Sequence, residues 1–247
     1  MFDENNMMFK VLAGVLIFLI GILGAWASIS MRSNNRRLLL SVGNCFAAGI
    51  FIGAGLIHTL GDSASLFNSF NLNIDFPIWA AIAAFSAGLL MWVDKGAHAS
   101  LKHNGISGLS LFIVLSLHSL LAGMALGIEA HPIQALAILI AILSHKGSAS
   151  FALGLQTNQS HYWRRMISFS LMTPIGVILG GSLIVILQNQ NELLFEAIFD
   201  ALAAGTFLYV ALGEILPKEY ENSKHPHIKS LAVMMGILLM SYLALYT

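Results

Sequence analysis

The chain has 247 residues, of which 57% are hydrophobic and 10% charged, with a mean hydropathy of +0.79 and no formal net charge. A water-soluble domain carries about 25% charged residues, so this composition points to an integral membrane protein. It also excludes a basic nucleic-acid face, a Gly-rich phosphate loop for nucleotide-driven pumping and, with Cys45 as the only cysteine, an intrachain disulfide or a Cys-based metal site.

Apolar runs predict helices near residues 10–30, 38–60, 77–93, 106–128, 133–155, 166–187, 193–216 and 228–246. Each is long enough to cross a hydrocarbon core of about 30 Å at a rise of about 1.5 Å per residue, the third being the shortest. The expected fold is therefore an all-α membrane protein, a bundle of about eight transmembrane helices forming a single domain over residues 1–247. Lys10, the apolar stretch after it and Ala25-Trp26-Ala27 mimic a cleaved signal peptide. Asp3 and Glu4 precede it where such a peptide is basic, so the run is read as the first membrane helix. Asn34-Asn35, His131-Pro132 and Pro217 punctuate the turns.

Positive charge marks cytoplasmic loops. Arg32, Arg36 and Arg37 follow the first segment, Lys95 and Lys102 the third, Arg164 and Arg165 the fifth, and Lys218, Lys224 and Lys229 the seventh. That places ten of the 12 Lys and Arg residues in four alternate loops. The other loops carry Asp62, Asp75, Glu129 and Glu192. Both termini are therefore expected on the extracytoplasmic side of a multi-pass protein of the cell (inner) membrane.

An ionisable side chain at membrane depth is costly and marks function by default. His118 lies halfway along the fourth segment and His145 halfway along the fifth, so antiparallel packing brings both imidazoles to one level. Imidazole is a common ligand of zinc and related ions, and the expectation is that the two rings approach within about 8 Å. The alternative is a pair of packing histidines bonded to neighbouring backbone or hydroxyl groups. Lys146, next to His145, offers no lone pair and repels a second cation; its other reading is a salt bridge to Asp200 or Glu196. Gly123 and Gly127, and the Gly147–Ser150 run, allow close helix approach. Pro174, after Thr173, interrupts the sixth segment, as such breaks do along transport paths or as plain kinks. His58 and Asp62 share one face at the outer end of the second segment; with Glu129 and His131 they form either a cation-concentrating mouth or solvated helix ends. Glu214 sits at the inner end of the seventh segment. Asp94, His98 and His103 fall in the loop after the third, and His225 and His227 in the loop after the seventh.

These residues resemble the ZIP (Zrt/Irt-like) family of metal transporters over nearly the whole chain. Phe46–Phe51 followed by Leu56–Asp62 is similar to the family's AGGVFL…HxLPD, with Gly61 in place of proline. His118-Ser119, Gly123 and Leu126-Gly127 resemble HSxxEGxALG. His145-Lys146 and Phe151–Gly154 resemble the HKxxxxFxLG of one branch. Pro174-Ile175-Gly176, Ala204–Tyr209 and Glu214–Pro217 complete the series. The resemblance implies eight helices with both ends outside, and transport of a divalent cation toward the cytoplasm between the second, fourth, fifth and seventh helices. The metal site would be His118, Ser119 and His145, and the pathway His58, Asp62, Lys146, Thr173, Asp200 and Glu214. Lys146 would leave a single-metal site. One departure stands out: Ala122, Ala149 and Thr173 occupy positions that are often acidic in the family. A dication held by imidazoles and hydroxyls alone keeps its charge beside Lys146, which weakens binding or calls on water and a displaced carboxylate such as Asp200 or Glu129.

The leading expectation is a transporter with zinc as cargo, with iron, manganese or another divalent metal as alternatives, and with no cofactor. Its expected partners are the ion and the lipid bilayer, with no nucleic acid; a homodimer is left open. The competing class is a transport-inactive ZIP-like metal-binding or regulatory membrane protein. An intramembrane zinc hydrolase needs three protein ligands and a general acid or base, and no carboxylate lies beside the histidine pair, so no enzyme is expected. For the topology, cysteine tags at positions 35 and 222 should resist an impermeant reagent in intact cells while a tag at 190 is labelled; the reverse pattern overturns the orientation.

Overall fold

The computed structural model describes residues 4–33, 37–70, 75–100, 107–129, 131–183, 189–221 and 223–245. Arg36, Lys102 and His103 lie outside the described residues. Among the described residues, eight helices are long and apolar enough to cross a membrane. They are α1 (Glu4–Ser33), α2 (Arg37–Ser69), α3 (Ile78–Ser100), α4 (Ser107–Ile128), α5 (Pro132–Gln156), α6 (Tyr162–Leu183), α7 (Asn189–Tyr220) and α8 (Pro226–Leu243). The bundle has an acidic end, with Asp62 and Glu129, and a basic end, with Arg164, Arg165 and Lys218.

Three of the boundaries that differ from those expected do so for a clear local reason. The second helix does not stop near residue 60 but runs on to Ser69. Gly61 keeps the backbone N–H that a proline would remove, so the helix passes through it at a cost of about 1 kcal/mol rather than about 3. The third helix runs on to Ser100, which places Asp94 and His98 in α3 rather than in a loop. Asp94 is buried there beside Tyr209 of α7, with Lys95 3.4 Å away. Pro217 lies inside α7 instead of ending it, because it opens the short α-helical stretch Leu216–Tyr220, where a missing N–H is least damaging.

Two of the helices change pitch midway. α2 winds as a π-helix over Ala54–Thr59, and α7 does so over Tyr209–Ile215. In α2 the Thr59 hydroxyl contacts the Ala54 and Gly55 carbonyls at 3.1 and 3.2 Å and helps satisfy the displaced ladder.

Lipid offers no hydrophobic drive for one helix to prefer another, so close backbone approach and interhelical hydrogen bonds hold the bundle. α4 and α6 meet glycine to glycine: Gly123 lies on Thr173 and Gly176, and Gly127 on Val177 and Gly180. Gly49 and Gly236 seat α2 against α8, and Gly205 seats α7 against α3. Serine hydroxyls add bonds between helices. Ser150 donates to Gly21 O at 2.5 Å (α5 to α1), Ser63 to Ala197 O at 2.7 Å (α2 to α7), and Ser86 to Leu202 O at 3.0 Å (α3 to α7). At the acidic end Lys10 donates to Gly127 O at 2.6 Å, a cation on the last turn of α4. At the basic end the Glu219 carboxylate accepts from Ser41, from Asn44 at 2.7 Å and from Lys229, tying α2, α7 and α8 together.

A Cβ at Gly176 would overlap the backbone of Leu120, Gly123 and Met124, whereas one at Gly88 meets nothing within 4 Å. Gly176→Leu should lower the melting temperature by about 5 °C or more, and Gly88→Leu by less than about 2 °C. Thermal melts of the purified variants check this; equal shifts would mean that the α4–α6 contact is not tight.

Candidate metal site

α4 and α5 run antiparallel and bring His118 and His145 together at mid-height. The ring centroids are 5.6 Å apart and the planes cross at 70°. Both rings are buried. His118 Nδ1 lies 3.0 Å from the Thr206 hydroxyl of α7. His118 Nε2 and His145 Nδ1 are buried without a hydrogen-bond partner. Two unpartnered imidazole nitrogens in a protein interior are unusual, and in a neutral imidazole one of the two ring nitrogens carries the lone pair that can bind metal.

A cavity of about 260 Å³ opens from this pair toward the acidic end. Its lining includes His58 and Asp62 from α2, Ala122 and Glu129 from α4, and Glu196 and Asp200 from α7. His58 Nδ1 is 2.9 Å from Asp62 Oδ2, one helical turn away. Toward the basic end Phe207 closes the space: its ring lies 3.7 Å from the His118 ring and 4.8 Å from the His145 ring, and it stacks on Phe51 at 5.3 Å.

Other expected residues lie elsewhere. Lys146 turns away from the cavity into the seam of α4, α5 and α6. Its ammonium donates to Ser119 Oγ at 3.0 Å, Thr173 Oγ1 at 3.0 Å and Phe169 O at 3.3 Å, and sits 3.9 Å above the centroid of the Phe169 ring. Ser119 and Thr173 are thus the partners of Lys146 and do not line the cavity. These contacts use hydroxyl and carbonyl oxygens, not the Asp200 or Glu196 carboxylate. Glu214 is buried beyond Phe207 toward the basic end, bonded to Lys218 at 2.5 Å and to Tyr209 at 3.4 Å, with Lys218 reaching Gln156 of α5 at 3.1 Å. Glu129 Oε1 accepts from the His131 N–H at 2.6 Å, while the His131 ring itself is exposed.

Among the described residues no three His, Cys, Asp or Glu side chains converge at metal-binding distance. The histidine pair offers two buried ring nitrogens, and the carboxylates nearest it are those that line the cavity. Thr206 and Phe207 carried no role in the sequence. Their string, Ala204–Tyr209, is conspicuous, but the contact with His118 spans 88 residues of chain and follows from no local spacing.

Residues 94–244 match the family described as ZIP Zinc transporter. The chain belongs to the ZIP zinc transporter family. Zinc transporter ZIP1 of Danio rerio is 27% identical over 271 residues, covering 88% of this chain and 89% of that protein. Zinc transporter ZIP2 of Mus musculus is 24% identical and covers 90% of each. Protein zntD of Dictyostelium discoideum is 37% identical over 154 residues, which is 59% of this chain and 22% of that one. This ZIP-family chain is accordingly an integral multi-pass membrane protein that transports a divalent metal ion, and it is not an enzyme.

Ala122 lines the cavity one helical turn from His118. Ala122→Glu should supply an anionic ligand and tighten zinc or cadmium binding at least about tenfold, or about 1.4 kcal/mol. Calorimetry paired with a thermal melt checks it: a lower melting temperature at unchanged affinity would mean that a side chain there does not reach the ion.

Proposed function

We propose that this chain, as a single transporter domain, carries Zn²⁺ from the acidic, extracytoplasmic end of the bundle to the basic, cytoplasmic end, with His118 and His145 as the central ligands. The observation that carries the reading is the pair of unpartnered imidazole nitrogens at the closed end of an acid-lined cavity. Zinc is the cargo named for the ZIP1 and ZIP2 relatives, and imidazole nitrogen suits it; Fe²⁺ and Mn²⁺ are the next choices by ligand type. The orientation in the membrane rests on the basic loops, and the inward direction on the resemblance to the family.

In this reading Asp62, Glu129, Glu196 and Asp200 raise the local cation concentration and strip part of the hydration shell. The ion then passes His58 to the His118–His145 pair. That pair is neutral, so it holds a dication less firmly than a carboxylate would, which favours release. Onward passage requires Phe207 to leave the two rings and the Glu214–Lys218–Gln156 contacts to open, after which Glu214 is the first carboxylate met at the basic end. Ser119 and Thr173 act by holding Lys146, whose fixed charge keeps a second cation out of the seam.

A second reading, a metal-binding regulator that no longer transports, is favoured by Ala122, Ala149 and Thr173 at the positions often acidic in the family. Metal uptake by proteoliposomes separates the two. The expected result is uptake of Zn²⁺ by the wild type, reduced at least about tenfold in the His118→Ala, His145→Ala double variant through loss of two ligands. Zinc binding without uptake in the wild type would support the regulator, and full uptake by the double variant would remove the site.

A further inference from the structure

If the ion binds His118 and His145, one ring nitrogen of each must be free of hydrogen. For His118 the surrounding contacts decide which. Thr206 Oγ1 lies 2.6 Å from the Ala203 carbonyl oxygen and 3.0 Å from His118 Nδ1. A carbonyl oxygen only accepts, and a hydroxyl has a single proton to give. The hydroxyl proton therefore points to Ala203, and the hydroxyl oxygen accepts from the ring. Nδ1 carries the hydrogen, and the lone pair of the neutral imidazole is on Nε2. Nε2 is the atom that is buried without a partner.

We propose that Thr206 is a positioning residue for metal binding: the relay from His118 Nδ1–H through the Thr206 hydroxyl to the Ala203 carbonyl fixes the tautomer and orientation of His118 and presents Nε2 to the ion. This rests on the proposed site. Threonine suits the role because its β-branched side chain is stiff at χ1 and, in a helix, readily bonds a carbonyl one turn back. Ala203 is three residues before it, so the hydroxyl is oriented by α7 itself before it meets α4. The next residue, Phe207, lies 3.7 Å from the same imidazole, so α7 holds His118 by two successive side chains. An orienting partner of a metal-bound histidine is worth about 10–100-fold in affinity.

The test is zinc titration calorimetry on the full-length protein in detergent, comparing wild type, Thr206→Ser, Thr206→Val and the His118→Ala, His145→Ala double variant. The expected outcome is that Thr206→Val weakens binding about 10–100-fold, whereas Thr206→Ser, which keeps the hydroxyl, stays within about threefold of wild type. Nitrogen NMR of histidine-labelled, metal-free wild type should show His118, assigned by its absence in His118→Ala, protonated at Nδ1. Unchanged affinity in Thr206→Val, equal weakening in Thr206→Ser, or protonation at Nε2 would each overturn the proposal. Should Thr206→Val fail to fold, the wild-type spectrum and Thr206→Ser still decide. Wild-type binding by the double histidine variant would instead sink the site itself. Loss of binding there with normal binding in Thr206→Val would sink only the role of Thr206.

Discussion

An ammonium group cannot be left bare inside a membrane, and meeting that demand at Lys146 orients the centre of this protein. Three oxygens from two neighbouring helices surround the ammonium, and a ring face closes it in. Successive residues on a helix point about 100° apart, so anchoring Lys146 in the seam with α4 and α6 turns His145 toward the cavity. The anchor also engages Ser119, the residue after His118, and so helps fix α4 against α5. The close contact of α4 with α6 follows the same constraint. Only glycines at Gly123 and Gly176 let Thr173 come near enough to share the ammonium.

Charge is graded along the cavity. Carboxylates are gathered toward its open end, while the closed end offers uncharged nitrogen and then an aromatic face. An ion moving inward would exchange oxygen ligands for nitrogen as it loses water. Beyond the aromatic face Glu214 is paired with Lys218, and Glu219 with Lys229. The two halves of the protein thus differ in kind. On one side the carboxylates line an open space; on the other they fasten neighbouring helices.

The eight helices, their order and the depth of His118 and His145 were legible in the sequence, because hydropathy and loop charge are local quantities. Local rules misplaced the end of α2, where Gly61 stands in for a helix-breaking proline, and the end of α3, where Asp94 is buried beside Tyr209 and Lys95. The inward pairing of Lys146 was less legible. A lysine flanked by a histidine on a membrane helix suggests a carboxylate partner, and nothing near it in sequence announces hydroxyls from α4 and α6. Thr206 was invisible for the same reason: its role exists only once α7 is laid against α4.

The π-helical stretches in α2 and α7 have a mechanical consequence. Each stores one surplus residue, because a π turn takes up more chain than the α turn it replaces. Shifting that surplus along the helix rotates the intervening face without unwinding the rod or exposing its backbone to lipid. In α2 the stretch contains His58, and in α7 it contains Glu214. The helices that flank the cavity on its α2 and α7 sides therefore each carry a sliding joint, and on the proposed path each joint would turn a side chain toward the ion or away from it.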